Sequence, residues 1–194
     1  MKNPADKKPR GNRVRICLNS VLLQPVLIYL VGYMASGKSN LGSELAGRLN
    51  YAFTDLDWIF EERYHISILD FFQKYDEPAF RNIEAKLLRE TMSLEDTVIS
   101  TGGGTPCFHN NMAFIREAGK SVYLRWDIPD IVARLKIIRR KRPLLKDIEA
   151  GDLEQFVKVH LAEREHFYLQ ADLIFEGAQN DLDHLARQLM PPGL

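Results

Sequence analysis

A lysine, a serine, two aspartates and a scatter of arginines are the residues of this chain whose types and spacing can do chemistry. Lys38 and Ser39 close the stretch Gly32-Tyr33-Met34-Ala35-Ser36-Gly37-Lys38-Ser39, which has the G-x-x-x-x-G-K-[ST] spacing of a phosphate-binding loop. Glycines in such a loop take backbone angles that other residues avoid, so neighbouring NH groups turn inward and form a concave donor set for polyphosphate oxygens. The lysine then reaches the β- and γ-phosphates and the serine hydroxyl meets Mg²⁺. The helix that starts at this point turns its positive end toward the same anion. A Gly/Ser turn that merely resembles the pattern is the alternative, and the flanking sequence decides against it.

Asp55 and Asp57 follow a short β-prone stretch. Residues two apart in an extended chain point to one side, so both carboxylates are expected to face the same crevice. Beside a magnesium-bound polyphosphate, one would hold a metal-bound water while the other orients an acceptor hydroxyl and takes its proton. Taken alone, the pair also reads as a solvated turn or a helix cap. Phe80-Arg81-x-x-Glu84 offers a guanidinium one helical turn from a carboxylate. That is either a surface ion pair of small value or a fork held by Glu84 and offered to a substrate carboxylate. Arg164, in Glu163-Arg164-x-x-x-Tyr168, leaves the same two readings open. The triplet Gly102-Gly103-Gly104 is a tight turn or a place where a ligand approaches the backbone closely. In Arg139-Arg140-Lys141-Arg142-Pro143, Arg142 reads either as part of a basic helix end or as a mobile arginine brought onto a transferring phosphoryl group.

The elements that must position these residues alternate between strand-like and helix-like runs. Apolar or β-prone segments at 26–31, 51–54, 97–100, 121–124 and 172–175 are the expected strands. The first runs straight into the phosphate loop, and Leu41, Leu45 and Leu49 after it form one helical stripe. Ser67 with Asp70 has capping-box form, Pro78 suits a first helical turn, and Gly119 suits the end of the helix that follows Asn110. Such alternation predicts an α/β fold with a parallel, doubly wound sheet whose ligand crevice lies at the carboxyl ends of the strands.

At 194 residues the chain suits one well-buried domain, with residues 1–24 expected as a poorly ordered basic extension and 25–194 as the functional domain. Lys+Arg and Asp+Glu balance at 26 each, which argues against nucleic acid or a membrane surface as partner. The basic amino terminus followed by apolar residues 21–31 imitates a secretory signal, but cleavage at Ala35-Ser36-Gly37 would cut the phosphate loop apart. Only Cys17 and Cys107 are present, as in a reducing cytoplasm, and the five scattered histidines are expected to be structural or solvent-facing.

In this order, the loop at 32–39, Asp55-x-Asp57, Phe80-Arg81-x-x-Glu84, the glycine triplet, Arg142-Pro143-Leu144-Leu145 and Arg164-x-x-x-Tyr168 resemble the shikimate kinase family over roughly residues 26–190. The resemblance implies a P-loop three-layer sandwich of nucleoside-monophosphate-kinase type around a five-stranded parallel sheet. It implies a cytoplasmic monomer that uses ATP and Mg²⁺ to phosphorylate the 3-hydroxyl of shikimate on the route to chorismate and the aromatic amino acids. Asp57, Lys38 and Arg142 would be catalytic, and Asp57, Arg81, Gly103, Gly104 and Arg164 would bind shikimate. Gly32, Ala35, Ser36, Gly37, Lys38, Ser39, Asn40, Arg134 and Arg142 would bind the nucleotide, and Ser39 and Asp55 the metal. Ala35 stands where the family usually has Gly, and Asn40 where it often has Thr. A gluconate-type kinase of the same fold and a catalytically silent nucleotide-binding module are the alternatives.

Overall fold

The computed structural model describes residues 26–138, 148–149, 151–177 and 181–190. The expected basic extension at 1–24 and the segment carrying Arg142 lie outside the described residues. Five strands are present among them: β1 (Leu27–Val31), β2 (Ala52–Asp55), β3 (Thr97–Ser100), β4 (Lys120–Arg125) and β5 (Leu173–Glu176). All pair in parallel, in the order β2-β3-β1-β4-β5. Each expected strand lies within one residue of its observed bounds.

Among the described residues eight α-helices connect and cover the strands: α1 (Lys38–Leu49), α2 (Leu56–Tyr64), α3 (Ile68–Lys74), α4 (Glu77–Glu90), α5 (Asn111–Ala118), α6 (Ile128–Ile138), α7 (Leu153–Tyr168) and α8 (Leu182–Leu189). The two faces of the sheet follow from the two-residue period of the strands. On one face, Ile28 and Leu30 join Val98, Val122 and Leu124 in a core with Leu45 and Leu49 of α1 and Leu185 and Leu189 of α8. On the other face, Tyr29, Val31, Ile99 and Tyr123 pack with residues of α2 to α7. Both faces of the central strand are therefore buried, which is why β1 reads as an unbroken apolar run rather than an alternation.

The helix boundaries follow from local chemistry. Ser67 accepts from the Asp70 amide at 3.0 Å while its hydroxyl donates to the Asp70 carboxylate at 2.7 Å, closing the start of α3. Asp76 caps α4 by accepting from Ala79 N at 2.9 Å, with Pro78 in the first turn where no amide hydrogen is needed. Gly119 ends α5. The order of the sheet puts β1 between β3 and β4, so the loops after β1, β2 and β3 converge on one crevice at the carboxyl ends.

Candidate active site

The loop between β1 and α1 wraps around its own lysine. Lys38 Nζ donates to Gly32 O at 2.9 Å, Tyr33 O at 2.9 Å and Ser36 Oγ at 3.3 Å, and the side chain is buried. Gly37 occupies the N-cap of α1 at φ 87°, in the left-handed region, and supplies no side-chain cap. The amides of the first turn therefore face the crevice without a side-chain acceptor, the arrangement that suits an anion. Gly32 and Ser36 are buried in the loop, and Ser36 O accepts from Trp126 Nε1 at 2.8 Å. Ala35, Gly37, Lys38, Ser39, Asn40 and Arg134 line the resulting cavity, which with its mouth encloses about 1000 Å³. The Arg134 guanidinium lies 3.5 Å from the centroid of the Trp126 ring.

Asp55 ends β2 and begins α2, and its two oxygens do different work. Oδ1 accepts from the Asp57 amide at 2.9 Å, capping α2, while Oδ2 accepts from Ser39 Oγ at 2.6 Å. The cap reading of Asp55 is observed, and its second oxygen stays turned toward the phosphate cavity. Ser39 and Asp55 present hard oxygen donors at the edge of the phosphate cavity. That pair fits Mg²⁺, which takes one or two protein oxygens and fills its shell with phosphate and water. Asp57 is not in the strand but in the first turn of α2, so the same-side argument from an extended chain does not apply to it. It reaches the crevice nonetheless, because the cap turns the helix start inward.

A second cavity, about 650 Å³ with its mouth, opens on the other side of Asp57 and carries the arginines. Met34, Asp57, Gly102 and Gly103 line both cavities, so Asp57 stands at their junction. Arg81 donates through Nη1 to Glu84 Oε2 at 2.8 Å, and through Nε and Nη2 to Glu77 Oε1 at 3.0 and 2.8 Å. It is buried, not a surface pair. Burial works against its charge, but Glu84 and Glu77 outweigh that effect and raise its pKa above the ordinary arginine value. Arg164 lines the same cavity from α7 and donates to His160 O at 3.3 Å.

The glycine triplet is explained by space. No residue of it has a positive φ, yet a Cβ at Gly104 would lie 2.5 Å from Arg81 Nη2 and one at Gly102 would lie 2.6 Å from Glu84 Oε1. Gly103 O accepts from the Tyr168 hydroxyl at 2.6 Å, tying the triplet to α7.

Several lining residues were not singled out by the sequence. Tyr33 is a variable position of the loop motif, and Glu77 carries no motif of its own, although both touch the site. His160, expected to be structural or solvent-facing, lines the arginine cavity. Its spacing of one helical turn before Arg164 was the available signal. Trp126 was signalled only by its place after the carboxyl end of β4.

Against known proteins, the family model for shikimate kinase matches residues 34–191. The shikimate kinase of Bacteroides thetaiotaomicron is 43% identical over 150 residues, covering 77% of this chain and 86% of that protein. The shikimate kinase of Azobacteroides pseudotrichonymphae is 41% identical over 165 residues, covering 84% and 97%. Among solved structures, the chain is similar to shikimate kinase from Bacteroides thetaiotaomicron, with TM-score 0.77, 39% identity and coverage of 84% and 96%. It is also similar to shikimate kinase from Acinetobacter baumannii in complex with shikimate, with TM-score 0.76, 32% identity and coverage of 86% and 90%.

Proposed function

Because this chain belongs to the shikimate kinase family, we propose a division of labour among its site residues for one reaction. That reaction is the ATP-dependent phosphorylation of the 3-hydroxyl of shikimate, giving shikimate 3-phosphate and ADP. The observation that carries the residue assignment is the junction at Asp57, where an arginine-lined cavity meets the cavity of the phosphate loop. An acceptor hydroxyl at Asp57 then faces a terminal phosphoryl group across that junction.

The nucleotide phosphates lie on the amides of the loop from Ala35 to Asn40, with Lys38 neutralising charge on the β- and γ-oxygens. Arg134 is assigned to the adenine end and Arg142 to the nucleotide phosphates. Gly32 and Ser36 act by shaping the loop from behind. Ser39 and Asp55 hold Mg²⁺, which supplies charge neutralisation at the transferring group when bound. Shikimate carries a carboxylate and no phosphate, so the cavity must offer a charged fork rather than an amide nest. Arg81 and Arg164 supply it, with the Gly103 and Gly104 backbone close against the ring. Asp57 orients the reacting hydroxyl and accepts its proton as the O–P bond forms. Closure of the site over both substrates would keep water from competing as acceptor.

Action as a monomer is part of this proposal. Balanced charge argues against a nucleic-acid partner. Among the described residues no helix is long and apolar enough to cross a membrane, and a cytoplasmic location fits the sparse cysteines. The test is a coupled ADP-release assay with ATP, Mg²⁺ and a panel of acceptors, in wild type and Arg81→Ala. Turnover with shikimate and a raised shikimate KM in the variant are expected. An unchanged KM would remove Arg81 from the carboxylate site, and turnover with gluconate instead would favour the rival kinase.

A further inference from the structure

Tyr33 and His160 belong to different halves of the site. Tyr33 lies in the phosphate loop, and its carbonyl accepts from Lys38 Nζ at 2.9 Å. His160 lies on α7, and its carbonyl accepts from Arg164 Nη1 at 3.3 Å. The two side chains meet at 2.7 Å, Tyr33 hydroxyl to His160 Nδ1, with the rings edge to face. Phe156 stacks on the far side of the imidazole, 5.0 Å between ring centroids, and fixes its plane.

The direction of this bond follows from protonation. Burial and then Arg164 push the His160 pKa down to about 4, and burial raises that of Tyr33. A protonated phenol beside a neutral imidazole donates to Nδ1, leaving the imidazole proton on Nε2. The Lys38 and Arg164 bonds end on the backbone carbonyls of Tyr33 and His160, so the Tyr33–His160 side-chain bond is a tie between the phosphate loop and the part of α7 that carries Arg164. A second tie from the rim of the crevice to α7 runs from the Tyr168 hydroxyl to Gly103 O.

We propose that Tyr33 and His160 are positioning residues that fix Arg164 relative to the phosphate loop, so that binding of the nucleotide and of the carboxylated acceptor reinforce one another. The inference rests on the assignment of Arg164 to the acceptor carboxylate made above. Neither residue touches the reacting atoms in this role. Loss of either side chain breaks this tie and lets α7 shift against the phosphate loop, carrying Arg164 away from the acceptor while its bond to the His160 carbonyl remains.

The experiment compares full-length wild type with Tyr33→Phe, His160→Leu, the double variant and His160→Asn, whose side-chain oxygen replaces Nδ1 as acceptor. Tyr33→Phe and His160→Leu should each raise the shikimate KM about five- to tenfold, the effect of one buried hydrogen bond, with kcat falling less than KM rises. The double variant should lose no more than either single, since both remove one bond. His160→Asn should recover most of the loss. By calorimetry, the factor by which shikimate tightens ADP binding should move toward one in both single variants. A wild-type shikimate KM in Tyr33→Phe, additive losses, or a loss that only parallels the melting temperature overturns the proposal. Arg164→Ala is the separating control. If it leaves the shikimate KM unchanged, the underlying assignment fails; if it raises KM while Tyr33→Phe does not, only the positioning role fails.

Discussion

Replacing Gly104 with alanine tests the arginine fork without touching an arginine. Gly104 has φ −89° and ψ −17°, which any residue accepts, so alanine brings no backbone strain. Its methyl, however, would lie 2.5 Å from Arg81 Nη2, 2.7 Å from Cζ and 2.8 Å from Nη1. Ordinary contact lies near 3.5–4.0 Å, so the guanidinium must retreat by about 1 Å. That side chain is 8% exposed, is held at 2.8 Å by both Glu84 and Glu77, and lies 4.5 Å from the Phe108 ring centroid, so it has no free path of withdrawal. Charge-assisted hydrogen bonds contribute about 1.5–3 kcal/mol each, and misplacing the fork forfeits on the order of one of them toward the substrate. The shikimate KM should therefore rise about 10- to 100-fold. ADP affinity, set on the other side of Asp57, should stay within twofold. The assay is steady-state kinetics in both substrates with calorimetric ADP titration. Gly47→Ala serves as control because a Cβ there meets nothing within 4 Å. A folded Gly104→Ala enzyme with an unchanged shikimate KM, or with ADP affinity lost in proportion, would refute the reasoning.

Ala35 sits at φ 62°, where an L-residue with a side chain costs about 1 kcal/mol; Ala35→Gly should raise the melting temperature by roughly 2–4 °C in calorimetry, and a fall would contradict the strain argument. Lys38→Met removes the cation and three contacts that shape the loop, so turnover should drop by at least about 100-fold, and single-turnover kinetics near wild type would exclude the role. His160 titrates near 4 in the fold against 6.5 unfolded, so its neutral form is favoured natively and stability is lost as pH falls through that window. Solvent screening of this part-buried imidazole leaves a loss on the order of 1–2 kcal/mol, and His160→Asn should flatten the decline in urea stability between pH 7 and 4; identical slopes would refute it.

The fold was legible because each strand carries a short apolar or β-branched run and several helix starts, at Asp55, Ser67, Asp76 and Asp181, carry their own side-chain cap. Leu45 and Leu49 fell where a four-residue stripe puts them, and Asp76, Ser67 and Gly119 mark ends that local hydrogen bonding enforces. The site was legible where chemistry is tied to local spacing, as at Lys38 and Ser39. It was ambiguous where partners come from elsewhere in the chain. Whether Arg81 is a solvated ion pair or a buried fork depends on Gly104 and Phe108, which no helix periodicity relates to it. Asp57 shows a different failure, since strand geometry was extended two residues past the point where Asp55 turns the chain into α2. Tyr33 and His160, 127 residues apart, share nothing that a single sequence can display.

Glu84 explains why so charged a cluster is buried at all. Its Oε2 takes Arg81 Nη1 at 2.8 Å, its Oε1 takes the Thr105 hydroxyl at 2.6 Å, and the side chain is 4% exposed. Removing two charges from water costs several kcal/mol per ion, and their attraction offsets this only in part, so such a pair is a poor source of stability. Its value lies in orientation: one edge of the guanidinium is fixed by Glu84 so that the group keeps a single pose at the cavity wall. The two contributions separate in a mutant cycle. Glu84→Ala strands Arg81 with only the half-exposed Glu77 as partner and should cost about 3 kcal/mol in urea unfolding. Arg81→Met with Glu84→Leu removes both charges and should lie within about 1–2 kcal/mol of wild type while shikimate binding is abolished. A double variant as unstable as the sum of its singles would mean that the pair holds the fold together and that its place in the cavity is incidental.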